Sequence, residues 1–140
     1  MEVAKIDELR TFLMTCPFLE IPKEQIVPTV YVDHLSENPS VYTINIIPTQ
    51  PFVRKYVDGG GVKQLTFVFR SAKIYGGPDI VQNISNIAFY ERFAEWVTTN
   101  KPDIKDWIKV ETLTEGYFFD VAQGEDKASY QIQCRVLYSV

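Results

Sequence analysis

The sequence is poor in the side chains from which reaction centres and metal sites are built. Its 140 residues hold one histidine, His34, and two cysteines, Cys16 and Cys134. A Ser or Cys dyad needs a histidine beside a nucleophile, and no motif in this chain marks a nucleophile. Two distant cysteines and one histidine cannot complete a tetrahedral zinc site. We therefore expect a protein that is not an enzyme and that holds no metal and no cofactor.

The motifs that bind calcium and phosphate are incomplete. Glu111, Glu115 and the acidic turn at 124–126 lack the Asp-x-Asp-x-Asp-Gly spacing of a calcium loop. The glycine cluster at 58–61 lacks the Gly-Lys-Ser or Gly-Lys-Thr end of a P-loop, and it joins two predicted strands. A tight hairpin tip explains this cluster, and a loop that orders itself against another subunit is the alternative.

The charge balance and the apolar runs exclude two further classes of protein. The formal net charge is −4 and the Lys and Arg residues are scattered, so no basic stripe is present to neutralise phosphates. We therefore expect no sequence-specific nucleic-acid partner. No apolar run reaches the roughly 18 residues of a membrane span, and the charged N-terminus is unlike a secretory leader. We expect no membrane partner and a location in the cytoplasm where the chain is made.

The sequence is rich in aromatic residues and in alternating patterns. It contains nine Phe, eight Tyr and two Trp. Residues 130–138 alternate apolar and polar side chains, which predicts a strand with one buried face at the end of a long hairpin. The predicted elements are a helix at 3–15, strands at 29–35, 41–47, 52–57 and 62–74, a helix from about 78 to 100, and strands at 108–121 and 129–138. Three hairpins are predicted, which pair 29–35 with 41–47, 52–57 with 62–74, and 108–121 with 129–138.

This order, α-β-β-β-β-α-β-β, predicts a single α+β domain over residues 1–140, because the hairpins are separate from the helices. Its sheet is expected to be mainly antiparallel, with the two main helices packed on it. The second helix carries one broad apolar stripe, which suggests burial against the sheet and a further contact. The stripe contains Ile80, Ile84, Ile87, Ala88, Ala94 and Val97, widened by Phe89, Phe93 and Trp96.

The two cysteines fall at positions that the pattern predicts to be buried. Cys16 ends the first helix, and Cys134 lies on the apolar side of the last strand. A reduced, buried pair is the expectation for a cytoplasmic protein, although the two positions also allow a disulfide.

Strings of residues along nearly the whole chain resemble a known family. They read FVRKYVDG at 52–59, QLTFVFR at 64–70, QNI at 82–84, FYERFAEWV at 89–97, TEGYFFD at 114–120 and ASYQIQCRVLY at 128–138. These strings closely resemble small tail proteins encoded in the structural operons of siphophages and prophages of Gram-positive bacteria. Those proteins look like tail terminators and are similar in size and element order to the tail terminator of phage lambda.

The resemblance implies a structural protein of the virion. It implies a homohexameric ring that caps the finished tail tube, stops its polymerisation and forms the surface that joins the tail to the head. The partners would be further copies of the chain, the tail-tube protein and a head-completion or neck protein. The location would be the head-proximal end of the tail, after assembly in the cytoplasm of the bacterial host. The residues predicted to form the contacts are Phe89, Tyr90, Phe93, Trp96, Asp58, Gly59, Gly60 and Gly61.

Three other functions stay open at this stage. A head-completion adaptor and a tail-tube subunit are the nearest alternatives, and a small-ligand-binding module is the alternative from a different class. A ring built from head-to-tail contacts closes only if each subunit offers two different, complementary patches. A tube protein would instead form open polymers.

Overall fold

In the residues that the structure describes, the chain forms an open, seven-stranded mixed sheet with two helices packed on one of its faces. The computed structural model describes residues 5–21, 24–33, 41–74, 80–100, 104–121 and 127–140. Within these residues the elements are α1 (Lys5–Leu13), β1 (Thr29–Val32), β2 (Val41–Ile46), β3 (Phe52–Lys55), β4 (Gly61–Ile74), α2 (Ile80–Thr99), β5 (Trp107–Thr112), β6 (Tyr117–Val121) and β7 (Lys127–Ser139). The predicted α+β class is confirmed.

Strands β4 and β7 form the centre of the sheet. They pair antiparallel from Val62 opposite Ser139 to Ile74 opposite Lys127. The sheet order is β1-β2-β4-β7-β5, with β3 also paired to β4 and β6 also paired to β7. The alternation predicted for β7 is confirmed, because its buried apolar side chains are Tyr130, Ile132, Cys134 and Val136.

Two of the predicted hairpins are confirmed. Strands β3 and β4 pair antiparallel on either side of the glycine-rich loop at 58–61, where Gly59 has a φ of 97°. A side chain at that φ would be strained, so glycine suits the position. Strands β6 and β7 also pair antiparallel.

The core lies between the two helices and one face of the sheet. Helix α1 buries Leu9, Phe12 and Leu13 there. On the sheet side, Phe69 stacks on Phe93 of α2 with the ring centroids 4.3 Å apart. Each fully buried side chain of this size contributes roughly 1.5–3 kcal/mol through the removal of apolar surface from water. The aromatic residues therefore provide much of the attachment of α2 to the sheet.

A buried hydroxyl network also joins α2 to the sheet. The Tyr90 hydroxyl lies 2.5 Å from the Ser71 hydroxyl and donates to the Tyr130 carbonyl oxygen at 2.7 Å. Tyr90 is fully buried. Gly116 packs directly against it, since a Cβ atom at Gly116 would lie 2.2 Å from the Tyr90 Cβ. The network fixes the rotation of α2 on the sheet, and the close approach requires glycine at 116.

The predicted hairpin between β1 and β2 is wrong. These strands pair in parallel, with Thr29 opposite Val41 and Val32 opposite Ile44, whereas all other pairings among the described residues are antiparallel. Alternating apolar residues specify which face of a strand is buried but not the direction of its neighbour. The sheet is consequently mixed.

The strand predicted at 108–121 is two strands, so the element order ends in three strands rather than two. The backbone N–H groups of Leu113 and Thr114 both donate to the Gln133 carbonyl oxygen, at 2.7 and 3.2 Å. This arrangement interrupts the pairing with β7 at the point where β5 ends and before β6 begins. The chain then passes Tyr90 at Gly116 before β6 begins. Packing against α2 therefore separates the two strands.

Several residues used in the sequence analysis lie outside the described residues. They are His34, the predicted turn at 36–40, the predicted start of the second helix at 76–79, the residues at 101–103 and the acidic turn at 123–126.

Candidate assembly surfaces

The aromatic residues predicted to contact another subunit are mostly core residues. Phe89 is 6% exposed, and Tyr90 and Phe93 are fully buried. These three side chains cannot reach another subunit while the domain is folded, so this part of the prediction is wrong. Trp96 is half-buried and stacks on Phe12 with the ring centroids 5.0 Å apart. A subunit contact through the remaining surface of Trp96 stays a prediction.

The exposed apolar surface of α2 lies on its opposite side. Ile80 is 70% exposed, Val81 78% and Ile84 62%. We call these three residues the outer patch. Asn83, Ile87, Ala88 and Glu91 lie along the same side. An α-helix turns about 100° per residue, so these positions point away from the aromatic side.

The single broad stripe predicted for this helix is therefore two stripes. The positions 86, 89, 90, 93 and 97 follow the spacing of a helix face and are all buried. Ile80 and Ile84 are four residues apart and belong to the exposed stripe. The spacing of the aromatic residues was the available signal for the inward side. It was obscured because Ile80 and Ile84 add apolar residues on the opposite side.

The tip of the β3–β4 hairpin is a second exposed surface. Val57 is fully exposed, and Tyr56 is 47% exposed. The Asp58 carboxylate accepts a hydrogen bond of 3.0 Å from the Gly60 backbone N–H, which holds the turn. We call residues 56–59 the hairpin tip. The predicted role of Asp58 and Gly59 in a contact stays a prediction.

Gly60 and Gly61 have a structural reason to be glycine. The Gly61 N–H donates to the Val140 carbonyl oxygen at 3.2 Å, and the Val140 N–H donates back to Gly61 at 3.0 Å. A Cβ atom at Gly60 would lie 2.8 Å from the Val140 oxygen, and one at Gly61 would lie 2.2 Å from the Arg54 oxygen. The close approach of three backbone segments accounts for both glycines, so their predicted contact role is not needed to explain them.

The second face of the sheet is polar, and no helix within the described residues packs on it. Side chains on this face alternate with the core residues of β2, β4, β6 and β7. We call it the polar sheet face, and it includes Thr43, Thr66, Arg70, Tyr117, Gln131, Gln133 and Arg135. These side chains largely cover one another, since Thr43, Thr66 and Gln131 are buried. Arg70 lies over the Phe119 ring at 5.2 Å.

An ionic cluster marks the β5 side of the polar sheet face. Glu111 accepts hydrogen bonds from Arg135 Nε at 2.8 Å and pairs with Lys109 Nζ at 2.8 Å. The hydrogen bonds from Lys109 and Arg135 lower the pKa of the Glu111 carboxyl. The Glu111 carboxylate is therefore already neutralised by two cations. Within the described part of the chain, no three His, Cys, Asp or Glu side chains converge to hold a metal ion.

Both cysteines are buried, as the sequence predicted, and both are free thiols in the structure. Burial raises the pKa of the Cys134 thiol to about 12 and also raises the pKa of Cys16. A thiol must ionise to act as a nucleophile. Both groups are therefore packing residues of the core.

Comparisons with known proteins add no family to this description. Neither a protein-family model nor a curated protein sequence matches the chain. No helix among the described residues has the length and apolar character needed to cross a bilayer.

Proposed function

We propose that this chain is a structural subunit of a phage tail, which forms a ring on the finished tail tube, stops tube polymerisation and provides the surface for the head. The observation that carries the proposal is the outer patch of α2. A helix of a soluble protein normally carries one apolar stripe, which packs on the core. Besides the aromatic stripe that packs on the sheet, α2 carries a second apolar group at its first turns, where Ile80 and Ile84 are exposed in the described part of the chain.

A second copy of the chain is the partner that we propose for the outer patch. Contiguous exposed apolar residues are typical of protein interfaces. A head-to-tail ring requires a second, different surface on each copy. The hairpin tip supplies one, because Tyr56 and Val57 expose apolar side chains on a different element from the outer patch. Two unlike apolar surfaces on one rigid domain suit a closed ring, for which we propose six copies.

The polar sheet face suits a surface that stays in contact with water. Arg135, Glu111 and Lys109 form an ionic cluster on this face. An exposed pair of this kind contributes roughly 0–1 kcal/mol, so water competes with it easily. We propose that this face lines the interior of the ring, and that the tail-tube protein and the neck protein bind the two ends of the ring. The protein would then lie at the head-proximal end of the tail in the virion.

Electron microscopy of the purified protein tests the form of the assembly. Closed rings of one diameter are expected for a terminator. Long open tubes would instead assign the chain to the tail tube. Particles of a single protomer at all concentrations would contradict a ring that forms without the tail tube.

Deletion of the gene from the phage or prophage that encodes it tests the role. Overlong or ragged tails without heads are expected, because polymerisation would continue without a cap. Tails of normal length would contradict termination and would favour another position in the neck. Complementation with the intact gene should restore the tail length.

A further inference from the structure

The outer patch lies beside a shallow hollow on α2. The hollow has a volume of about 370 Å³. Its lining is mainly aliphatic and consists of Ile80, Asn83, Ile84, Ile87, Ala88 and Glu91. Among the described residues, Glu91 is the only charged member of the lining, and it forms no ion pair with any of them. The hollow therefore combines an apolar floor with one negative charge at its edge.

The end of the β3–β4 hairpin carries the opposite charge. Its residues 52–63 contain three cations, Arg54, Lys55 and Lys63, and one carboxylate, that of Asp58. No ion pair joins any of the three cations to a carboxylate of the described residues. The hairpin is thus a positively charged arm on a chain whose formal net charge is −4.

The hairpin tip matches the hollow in apolar character and in spacing. Val57 is fully exposed at the turn, so its side chain projects from the domain. Lys55 precedes Val57 by two residues, a span of at most about 7 Å. Glu91 follows Ile87 by four residues, about 6 Å along α2. Val57 seated on Ile87 therefore brings Lys55 within reach of Glu91.

We propose that the hairpin tip of one copy docks into the hollow on α2 of a second copy, with Val57 against Ile84 and Ile87 and with Lys55 paired to Glu91. The inference rests on the proposed ring, because it assigns the two unlike surfaces of that ring to each other. Such a contact is head-to-tail, since each copy offers the tip on one element and the hollow on another. The ion pair fixes the register of the tip in the hollow.

Disulfide trapping between two variants with one added cysteine each tests the contact. Val57→Cys protein is mixed with Ile84→Cys protein under a mild oxidant, and mass spectrometry measures the joined peptides. The native thiols do not compete, because both are buried and their pKa values are raised. Ile26→Cys is the matched control, since Ile26 is a 91% exposed aliphatic residue outside the hollow. We expect position 57 to join position 84 about tenfold faster than position 26, because docking raises the effective concentration of the two thiols.

Charge reversal in the same assay tests the ion pair, with all rates taken relative to position 26. Lys55→Glu in the first protein, or Glu91→Lys in the second, is expected to slow the joining of 57 to 84 about fivefold, because each change places like charges at the contact. Both changes together should restore the native rate. Lys63→Glu and Glu95→Lys are the matched controls, since these residues lie outside the hairpin tip and the hollow. They should change the rate less than about twofold.

Comparison with electron microscopy of the native protein separates this contact from the ring itself. Selective joining of 57 to 84 without closed rings would support the contact and contradict a ring that forms without the tail tube. Closed rings with equal joining at positions 84 and 26 would overturn the contact and leave the ring standing. A charge-reversed pair that joins no faster than either single reversal would also overturn the contact.

Discussion

The side of α2 that faces the sheet is aromatic, whereas the opposite side of its first turns is aliphatic. The aromatic side chains are Phe89, Tyr90 and Phe93, and the aliphatic ones are Ile80, Val81 and Ile84. Aromatic rings stack on the sheet at fixed distances, and the Tyr90 hydroxyl adds direction through hydrogen bonds. On the aliphatic side, Ile80 and Ile84 remain exposed in the part of the chain that the structure describes. One helix thus carries a surface for folding and a surface that we assign to assembly.

Truncation to alanine of one residue on each side of α2 should give the largest difference in the free energy of unfolding. Phe93→Ala is expected to lower the free energy of unfolding by about 3–5 kcal/mol, because it leaves a cavity beside Phe69. Ile84→Ala is expected to change it by about 0.5 kcal/mol or less, as at other exposed positions. Urea unfolding at low protein concentration measures both. Equal losses for the two variants would contradict the division of the helix.

A methyl group added at Gly116 should also disturb the packing of the aromatic side of α2. Its Cβ atom would lie 2.2 Å from the Tyr90 Cβ, so the chain or the helix must move. We expect Gly116→Ala to destabilise the domain by about 1–3 kcal/mol. Thermal unfolding measures the effect, with Glu115→Ala at the exposed neighbouring position as the control. A Gly116→Ala protein as stable as this control would show that α2 is less tightly packed than described.

Removal of the Tyr90 hydroxyl tests the polar part of the same side. Tyr90→Phe breaks the hydrogen bonds with Ser71 and the Tyr130 carbonyl oxygen. We expect a loss of about 1–2 kcal/mol in the free energy of unfolding, because the buried partner groups lose a hydrogen bond. Tyr56→Phe at the exposed hairpin tip is the control and should be neutral. A neutral Tyr90→Phe would mean that ring packing alone orients the helix.

The polar sheet face should contribute least to stability. The pKa of Glu111 is lowered from 4.5 in the folded protein, so its contribution is present above pH 4.5 and is lost as the pH falls through the folded value. Solvent screens this group, and Glu111→Gln should therefore cost less than about 1 kcal/mol at neutral pH. The difference from the native protein should vanish in acid. Unfolding curves across this pH range measure the effect, with Glu95→Gln as the control. Equal effects of Glu111→Gln and Glu95→Gln would contradict a stabilising role for the Glu111 ion pairs.

Local pattern predicted much of this fold. The alternation in β7 and the glycine-rich loop at 58–61 depend on residues close in sequence, and both predictions are confirmed. The parallel pairing of β1 with β2 depends on how the chain returns between them, which alternation does not encode. The break between β5 and β6 depends on contact with Tyr90, a residue distant in sequence. Tertiary packing therefore determined both the parallel pairing of β1 with β2 and the break between β5 and β6.

The candidate surfaces were less predictable than the fold. Aromatic residues serve both cores and interfaces, and the prediction of a subunit contact assigned Phe89, Tyr90 and Phe93 to the wrong one. Their spacing with Val97 marks a single helix face, but Ile80 and Ile84 gave the same helix a second apolar face. The cleft lined by Phe18, Lys73 and Phe89 was not predicted, because its walls come from segments that only the fold brings together.

Sedimentation velocity on two matched variants tests the assembly role of the outer patch most directly. Ile84→Gln removes an exposed apolar side chain from the patch, and Thr98→Gln places the same residue at an exposed position near the other end of α2. We predict that the native protein and Thr98→Gln form one closed oligomer, whereas Ile84→Gln remains a folded 16.1 kDa protomer. The same mass distribution for all three proteins would contradict the assignment of the outer patch to assembly.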